Sequence, residues 1–431
     1  MDWNGVDLPA LERELIALRR EFHRYPESGW TEFRTTARII EELEALGLEV
    51  QYGQAIHVPE KRYGLPEPDV LEACWQRAKT ETTRHDLLEA MRGGYTGCLA
   101  VIEGALDGPT TAIRVDIDCN DVAESGDADH VPAAEGFASV HENAMHACGH
   151  DAHIAIGLGT AKLLCAQRHL LRGRVLLVFQ PAEEGLRGAA SLAAAGHFDA
   201  CDRLLGIHVG LLDAPAGTVA ASCRGFLASS KFDVVFHGVA SHAGLAPEQG
   251  RNALAAAAKA TLELLEIPSR AEGVCRVNVG RLCAGSGRNV IPAEAVMQVE
   301  TRGATTEINA FAEAEAKRIC QAAAEQYGCT VETAFMGSAG TAVCDAPLVE
   351  QTLNILPVVE GVETVLPGVE LAIGEDITTL MAAVQSHGGQ ATELIAAMPL
   401  RAPHHNGRFD VDERVVGIGA RALAALALRM E

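Results

Sequence analysis

The sequence is short of positive charge: 35 Lys and Arg face 58 Asp and Glu, a formal net charge of −23. Nucleic-acid binding needs clustered cations to meet phosphates, and adhesion to an anionic membrane needs the same, so neither partner is expected. A small acidic substrate stays open, provided a few cations are gathered at one site. Long apolar runs are also missing, and spanning a bilayer takes about 20 such residues. Met1-Asp2-Trp3-Asn4-Gly5 lacks the basic-then-apolar pattern of a secretory leader. The 12 cysteines contain no C-x-x-C pair and no framework spacing, which points to reduced core thiols and a cytoplasmic location. A G-x-S-x-G elbow, a phosphate-binding loop and the P-C-x-x-C of zinc deaminases are all absent. Gly157-Leu158-Gly159 and Gly417-Ile418-Gly419 resemble pieces of a dinucleotide loop, but each falls inside a helical run, so helix packing is their expected role.

What is present is an ordinary globular composition, 48% hydrophobic and 22% charged over 431 residues, long enough for two domains. Leu8, Leu11, Leu15, Leu18 and Phe22 form one apolar helical stripe that stops before Tyr25-Pro26. A second helix is expected over roughly Thr31 to Leu46, then a short strand Leu48-Glu49-Val50. Residues 59–94 read as an inserted helical element in which Val70, Leu71, Cys74, Trp75 and Ala78 recur at helical spacing. Beyond it, short apolar strands ending near Ile102, Val115, Phe179 and His208 alternate with helical runs. That alternation predicts an α/β catalytic domain, with a mixed, largely parallel sheet flanked by helices. Residues 228–337 change rhythm to β-α-β-β-α-β, the ferredoxin-like order of a smaller α+β lid or dimerisation domain. It is inserted between residues 1–227 and 338–431.

Four clusters can carry chemistry. In His146-Ala147-Cys148-Gly149-His150-Asp151-Ala152-His153, an extended backbone would point Cys148 and His150 the same way, and thiolate and imidazole both suit zinc-like ions. The same run also reads as a helix start capped by Asp151 with histidines packed nearby. Gln180-Pro181-Ala182-Glu183-Glu184-Gly185 follows an apolar strand, at the sheet edge where open α/β folds bind ligands. Adjacent carboxylates on extended chain face opposite ways, so one can bind metal and the other move protons. His208 closes a further strand, and His404-His405 lie in a loop near the C-terminus. Together Cys148, His150, Glu184, His208 and one of His404 or His405 make enough ligands for two ions sharing a bridge, with Glu183 left over as proton carrier.

These motifs, with Phe22-His23-Arg24-Tyr25-Pro26-Glu27 near one end and Phe409-Asp410-Val411-Asp412-Glu413 near the other, resemble the aminoacylase, hippurate hydrolase and auxin-conjugate amidohydrolase branch of the dinuclear metallopeptidases. The resemblance implies hydrolysis of the amide bond of an N-acyl amino acid, an aroyl- or acyl-glutamate or aspartate, using two divalent ions, Zn or Mn. It implies Cys148, His150, Glu184, His208 and His405 as ligands, His405 because the family's ligand stands four residues before an aromatic, here Phe409. Glu183 becomes the general base, Asp118 a residue beside the metals, and His242 the lid histidine that polarises the substrate carbonyl, often across a dimer. Asn289 and Arg288 match lid residues near the substrate carboxylate, and Lys231 is a further cation for it. The chain departs from the family at Asn252, where many relatives have Asp, and in Asp118-Cys119-Asn120, which replaces the usual Asp-Ala-Leu. A homodimer through the lid is expected; the alternative is a paralogous partner chain. A broad aminoacylase or dipeptidase, or a non-catalytic member of a larger assembly, are the competing functions.

Overall fold

The computed structural model describes residue 3 and residues 5–430, and these fall into two compact units. The first comprises the chain up to Arg224, Ala342–Leu371 and the chain from Asp376 onward. The second is Gly225–Thr341 with the short segment Ala372–Glu375. That segment is the one piece the repeat pattern gives no hint of. Its Ile373 carbonyl accepts the Leu227 N–H at 2.7 Å, so it joins the second unit through a backbone hydrogen bond.

The first unit is built on an eight-stranded sheet. Its order is Val50–Tyr52, Cys98–Glu103, Arg172–Gln180, Leu106–Asp116, Arg203–Asp213, Gln390–Met398, Thr218–Ala220 and Thr364–Leu366. The four central strands, from Arg172–Gln180 to Gln390–Met398, run parallel, while the flanking ones mix both senses. Parallel strands bury both faces, and Arg203–Val209 and Ala391–Met398 are buried at every position. The expected strand at Leu48–Val50 lies instead at Val50–Tyr52, paired antiparallel with Cys98–Ala100.

Helix His150–Ala166 is buried nearly all round. It packs against helices Leu8–Arg24 and Arg414–Arg429, and a Cβ on Gly159 would come within 2.6 Å of Leu15 and 2.8 Å of Ala420. The glycines here serve close helix packing, as their context in the sequence implies. The element at residues 59–94 forms helices Pro68–Glu81 and His85–Ala90. Trp75 is buried there and donates its Nε1–H to the Leu88 carbonyl at 2.8 Å, a packing role.

The second unit is a four-stranded antiparallel sheet, ordered Thr330–Ala339, Ala228–His237, Glu294–Gly303 and Cys275–Ala284. Helices Ala253–Leu264 and Thr306–Gln326 cover it with alanine-rich faces that allow close approach: Ala253, Ala256, Ala257 and Ala260, and Ala312, Ala316 and Ala323. Asn252 is the N-cap of the first of these, accepting the Ala255 N–H at 3.0 Å, so the Asp-to-Asn departure touches only a helix start that either residue caps well. Among the described residues no helix is long and apolar enough to cross a membrane.

A buried histidine gives the first unit a testable acid sensitivity. His57 is 6% exposed, donates from Nε2 to the Thr96 carbonyl at 2.8 Å and places Nδ1 3.0 Å from the Ser191 hydroxyl. Burial lowers its pKa to about 4. A depressed imidazole binds its proton more readily when unfolded, so the stability it confers is complete above the ordinary value of 6.5 and is lost as pH falls toward 4. Below that the loss amounts to about 3 kcal/mol. Chemical denaturation at pH 7, 5 and 4 should show this fall, and His57→Asn should flatten it.

Candidate active site

The carboxyl ends of the parallel strands converge on one buried cluster. Leu106–Asp116 leads into Asp118, Arg172–Gln180 into the turn bearing Glu183 and Glu184, and Arg203–Asp213 carries His208. The Asp118 carboxylate accepts the backbone N–H groups of Glu183 at 3.0 Å and Glu184 at 2.9 Å, which ties the acidic turn to the neighbouring strand. Asp118 thus braces the site through backbone hydrogen bonds.

Ligand atoms of Cys148, His150 and His208 all lie within 4.8 Å of one another. The same holds for Cys148, Glu184 and His405, and for His150, Glu183 and Glu184. The five expected ligands and Glu183 are therefore in one place, though three of the reasons offered for them are corrected. Cys148 and His150 do not alternate on an extended chain. Gly149 is the N-cap of helix His150–Ala166 at φ +88°, and a Cβ there would sit 2.6 Å from Val209, so both backbone and space demand glycine. Asp151 is not the N-cap residue but sits in the first turn, where its carboxylate accepts the Ala152 N–H at 2.9 Å and pairs with Arg19 and His23, each at 2.8 Å. Glu183 and Glu184 do not face opposite ways either. Ala182 at φ +52° and Leu186 at φ +63° curl the chain into a turn, and both carboxylates come near His150. Likewise the strand does not close at His208 but continues to Asp213, with left-handed residues at Gly210 and Leu211 just beyond.

The tautomers of two histidines are set by the backbone. His150 donates from Nδ1 to the Asp118 carbonyl at 2.8 Å, and His208 from Nδ1 to the Val209 carbonyl at 2.7 Å. In each the Nε2 lone pair is left as an acceptor. His208 Nε2 lies 3.6 Å from Cys148 Sγ, and His150 Nε2 is buried with no hydrogen-bond partner. A buried, unsatisfied imidazole nitrogen beside a thiol and carboxylates is costly unless a cation completes it. The donor set therefore fits a divalent ion. Burial opposes a charge on His150, but Asp116, Asp118 and Glu184 outweigh it and raise its pKa well above the ordinary value, so a cation at Nε2 would take the place of a proton there. His208 is driven well below by burial and by neighbouring His153 and His404.

His405, at φ +61° and with its N–H on the Ala147 carbonyl at 2.8 Å, reaches Glu184 at 3.3 Å. His404 instead packs on Phe409, with ring centroids 4.7 Å apart, and its Nε2 is 3.4 Å from the Val209 carbonyl. Asp116 and His153 carry no signal of their own in the sequence, although both lie within chemically rich motifs. His153 Nδ1 is 2.5 Å from Asp116, and its Nε2 accepts the Val209 N–H at 2.9 Å, so both nitrogens are committed. This makes His153 a support for the His208 strand, its ring 4.6 Å from that of His208, and not a ligand. Supports of this kind typically change metal affinity by about 10–100-fold. Asp116→Asn should weaken metal binding by that much in a chelator-competition titration, with the fold intact by circular dichroism.

In the second unit, His242 Nδ1 accepts the N–H groups of Gly244 at 3.2 Å and Leu245 at 3.0 Å, leaving Nε2–H as a donor. Ala243 donates to the Asn289 carbonyl at 3.0 Å, which joins the His242 and Asn289 loops. Arg288 and Asn289 are exposed. Lys231 is already engaged: its Nζ lies 2.6 Å from Glu300, the residue directly opposite on the adjacent strand.

The model of peptidase family M20/M25/M40 matches residues 123–429. The chain belongs to that family. Its curated relatives include a subunit of the p-aminobenzoyl-glutamate hydrolase of Escherichia coli, 44% identical over 97% of this chain and 96% of that protein. They also include the indole-3-acetyl-aspartic acid hydrolase of Enterobacter agglomerans, 43% identical over 96% and 95%. Among solved structures, an aminobenzoyl-glutamate utilization protein from Klebsiella pneumoniae aligns with a TM-score of 0.83 at 36% identity, covering 98% of this chain and 96% of that one. A dinuclear metal binding peptidase of the M20 family from Bacillus subtilis aligns with a TM-score of 0.66 at 24% identity, covering 97% and 98%, and shows the shared fold. The chain is an M20-family hydrolase of the amidohydrolase kind, with side-chain groups able to hold metal.

Proposed function

We propose that this M20 hydrolase cleaves the amide bond of an N-aroyl or N-acyl acidic amino acid, of which p-aminobenzoyl-glutamate is the leading example. The observation that carries this reading is the convergence of Cys148, His150, Glu184, His208 and His405 around two backbone-fixed imidazoles, with Glu183 beside them. The names of two curated relatives, which specify an aroyl-glutamate and an indoleacetyl-aspartate, support the substrate class. Cys148, His150, Glu184, His208 and His405 would hold two divalent ions, Zn or Mn. Such ions supply Lewis acidity and lower the pKa of water from 15.7 to about 7.

Glu183 takes the proton of the attacking water and returns it to the leaving amine nitrogen. His242, with Nδ1 satisfied by two backbone amides, offers its Nε2–H to the substrate carbonyl oxygen. Arg288 and Asn289 bind the substrate carboxylates. Lys231 is the weaker candidate, because Glu300 already neutralises it. The lid unit, with its exposed edge strand Cys275–Ala284, is the proposed homodimer surface. A paralogous partner is the second reading, since the Escherichia coli relative is named as one subunit of its hydrolase.

Steady-state kinetics on p-aminobenzoyl-glutamate, indole-3-acetyl-aspartate, acetyl-alanine and free-amine dipeptides test the proposal. A site built to pair a second carboxylate should discriminate against substrates lacking it by about 10²-fold or more in kcat/KM. Preference for dipeptides or for acetyl-alanine would overturn the acidic-substrate assignment.

A further inference from the structure

Away from the metal-ligating cluster, two thiols and a carboxylate meet inside the first unit. Cys344 Sγ lies 3.3 Å from the Cys223 carbonyl oxygen, and Cys223 Sγ lies 3.4 Å from Glu393 Oε2. Cys223 is 2% exposed and Glu393 fully buried, while Cys344 is partly exposed. Their place in the chain is as notable as their proximity. Cys223 immediately precedes Arg224, the last residue before the chain leaves for Gly225–Thr341, and Cys344 follows closely on its return at Ala342. The Cys223–Arg224 strand is itself held in parallel pairing by Val369–Glu370.

We propose that Cys344 and Cys223 form a reversible disulfide by exchange with a low-molecular-weight disulfide such as oxidised glutathione, with Cys344 attacking first and Glu393 receiving the proton of Cys223. The Cys344 thiolate attacks one sulfur of the oxidant. That S–S bond breaks, and the released glutathione thiolate takes up the proton Cys344 gave away. Cys223 then attacks the Cys344 sulfur of the mixed disulfide, its proton passes to Glu393, and the second glutathione departs and is protonated from there. Two protein thiols lose two electrons, and the oxidant becomes two thiols. The bond closes Gly225–Thr341 into a covalent loop.

The environments of the two sulfurs suit these separate roles. Exchange runs fastest when the attacking thiol has a pKa near ambient pH and is accessible. The neighbouring Cys223, with the Glu393 backbone and Thr392, holds Cys344 down to about 6 despite its burial. Cys98 and Cys320, by contrast, are simply raised by burial. Cys223 is pushed well up by Cys344, burial and the Glu393 charge. It therefore needs a base at hand to attack, and Glu393 is that base.

The test uses the full-length, metal-loaded protein, treated with oxidised glutathione and digested without reduction for peptide mass spectrometry. A peptide joining Cys223 to Cys344 is expected, with loss of two free thiols at that site and recovery by dithiothreitol. In Cys223→Ser, Cys344 should stay trapped as the glutathione mixed disulfide. In Cys344→Ser, Cys223 should stay unmodified. Glu393→Gln should let the mixed disulfide form but slow its conversion to the linked peptide. Exposed Cys283 reports that the oxidant acted. Modified Cys283 without any Cys223–Cys344 peptide, or Cys344 joined to some other cysteine, would overturn the proposal.

Discussion

Glu183→Gln is expected to lower kcat by about 10²–10⁴-fold, or about 3–5 kcal/mol of transition-state stabilisation, with metal content unchanged. The expectation rests on position. Glu183 is 5% exposed, at the carboxyl end of a parallel strand, with its backbone N–H held by Asp118. Gln preserves size and one acceptor oxygen but cannot carry the proton from water to amine. The Glu184 carboxylate differs, because its contact with His405 at 3.3 Å places it among the proposed ligands. Glu184→Gln should therefore lose metal first and activity as a consequence. Steady-state kinetics with parallel elemental analysis separate the two, and full turnover by Glu183→Gln would remove it from the mechanism.

Arg114→Met should destabilise the fold by about 3–5 kcal/mol at neutral pH, because it strips the partner from buried carboxylates. Arg114 is fully buried and donates to Gln180 at 2.9 Å, Asp116 at 2.8 Å and Asp376 at 3.1 Å. Asp376 also accepts from Gln180 at 2.8 Å and from the Ala189 N–H at 3.0 Å, so one guanidinium knits two adjacent strands to the start of helix Ile377–Ser386. Burial already raises Asp376 to about 6, against the pull of Arg114, while Asp116 is held well below the usual range, where His150 and Arg114 outweigh burial. Without Arg114, Asp376 rises further and Asp116 loses part of what holds it down. A carboxyl raised in the folded state favours folding at low pH and loses that advantage as pH climbs through its folded value. The penalty should therefore be smaller at pH 5 than at pH 8. Urea denaturation at both pH values measures this, and a loss under about 1 kcal/mol at pH 8 would show that the network is not a structural keystone.

Much of the fold was legible because its signals are local. Of the stripe Leu8, Leu11, Leu15, Leu18 and Phe22, all but the half-buried Leu8 lie on the buried face of helix Leu8–Arg24, which ends just before Tyr25-Pro26. The β-α-β-β-α-β rhythm of the second unit follows from strand and helix periods that a short window reveals. The site was legible as a set of residues but less so as geometry. Period-two reasoning brought Cys148 and His150 together for the wrong cause, since a left-handed Gly149 starting a helix does the work. It also divided Glu183 from Glu184, which the strained turn at Ala182 and Leu186 reunites. Arg114, Asp116 and Asp376 stay hidden in the sequence because nothing in their neighbourhoods announces burial. Their pairing spans residues 114 to 376, a distance along the chain that no periodicity reports.

Crystals soaked with zinc or manganese and measured across the metal absorption edge put the central claim to its most direct test. Anomalous peaks bounded by Cys148, His150, Glu184, His208 and His405, and lost in Cys148→Ala, are the predicted result. Metal bound only elsewhere, or none bound while the five side chains stay in place, would contradict it.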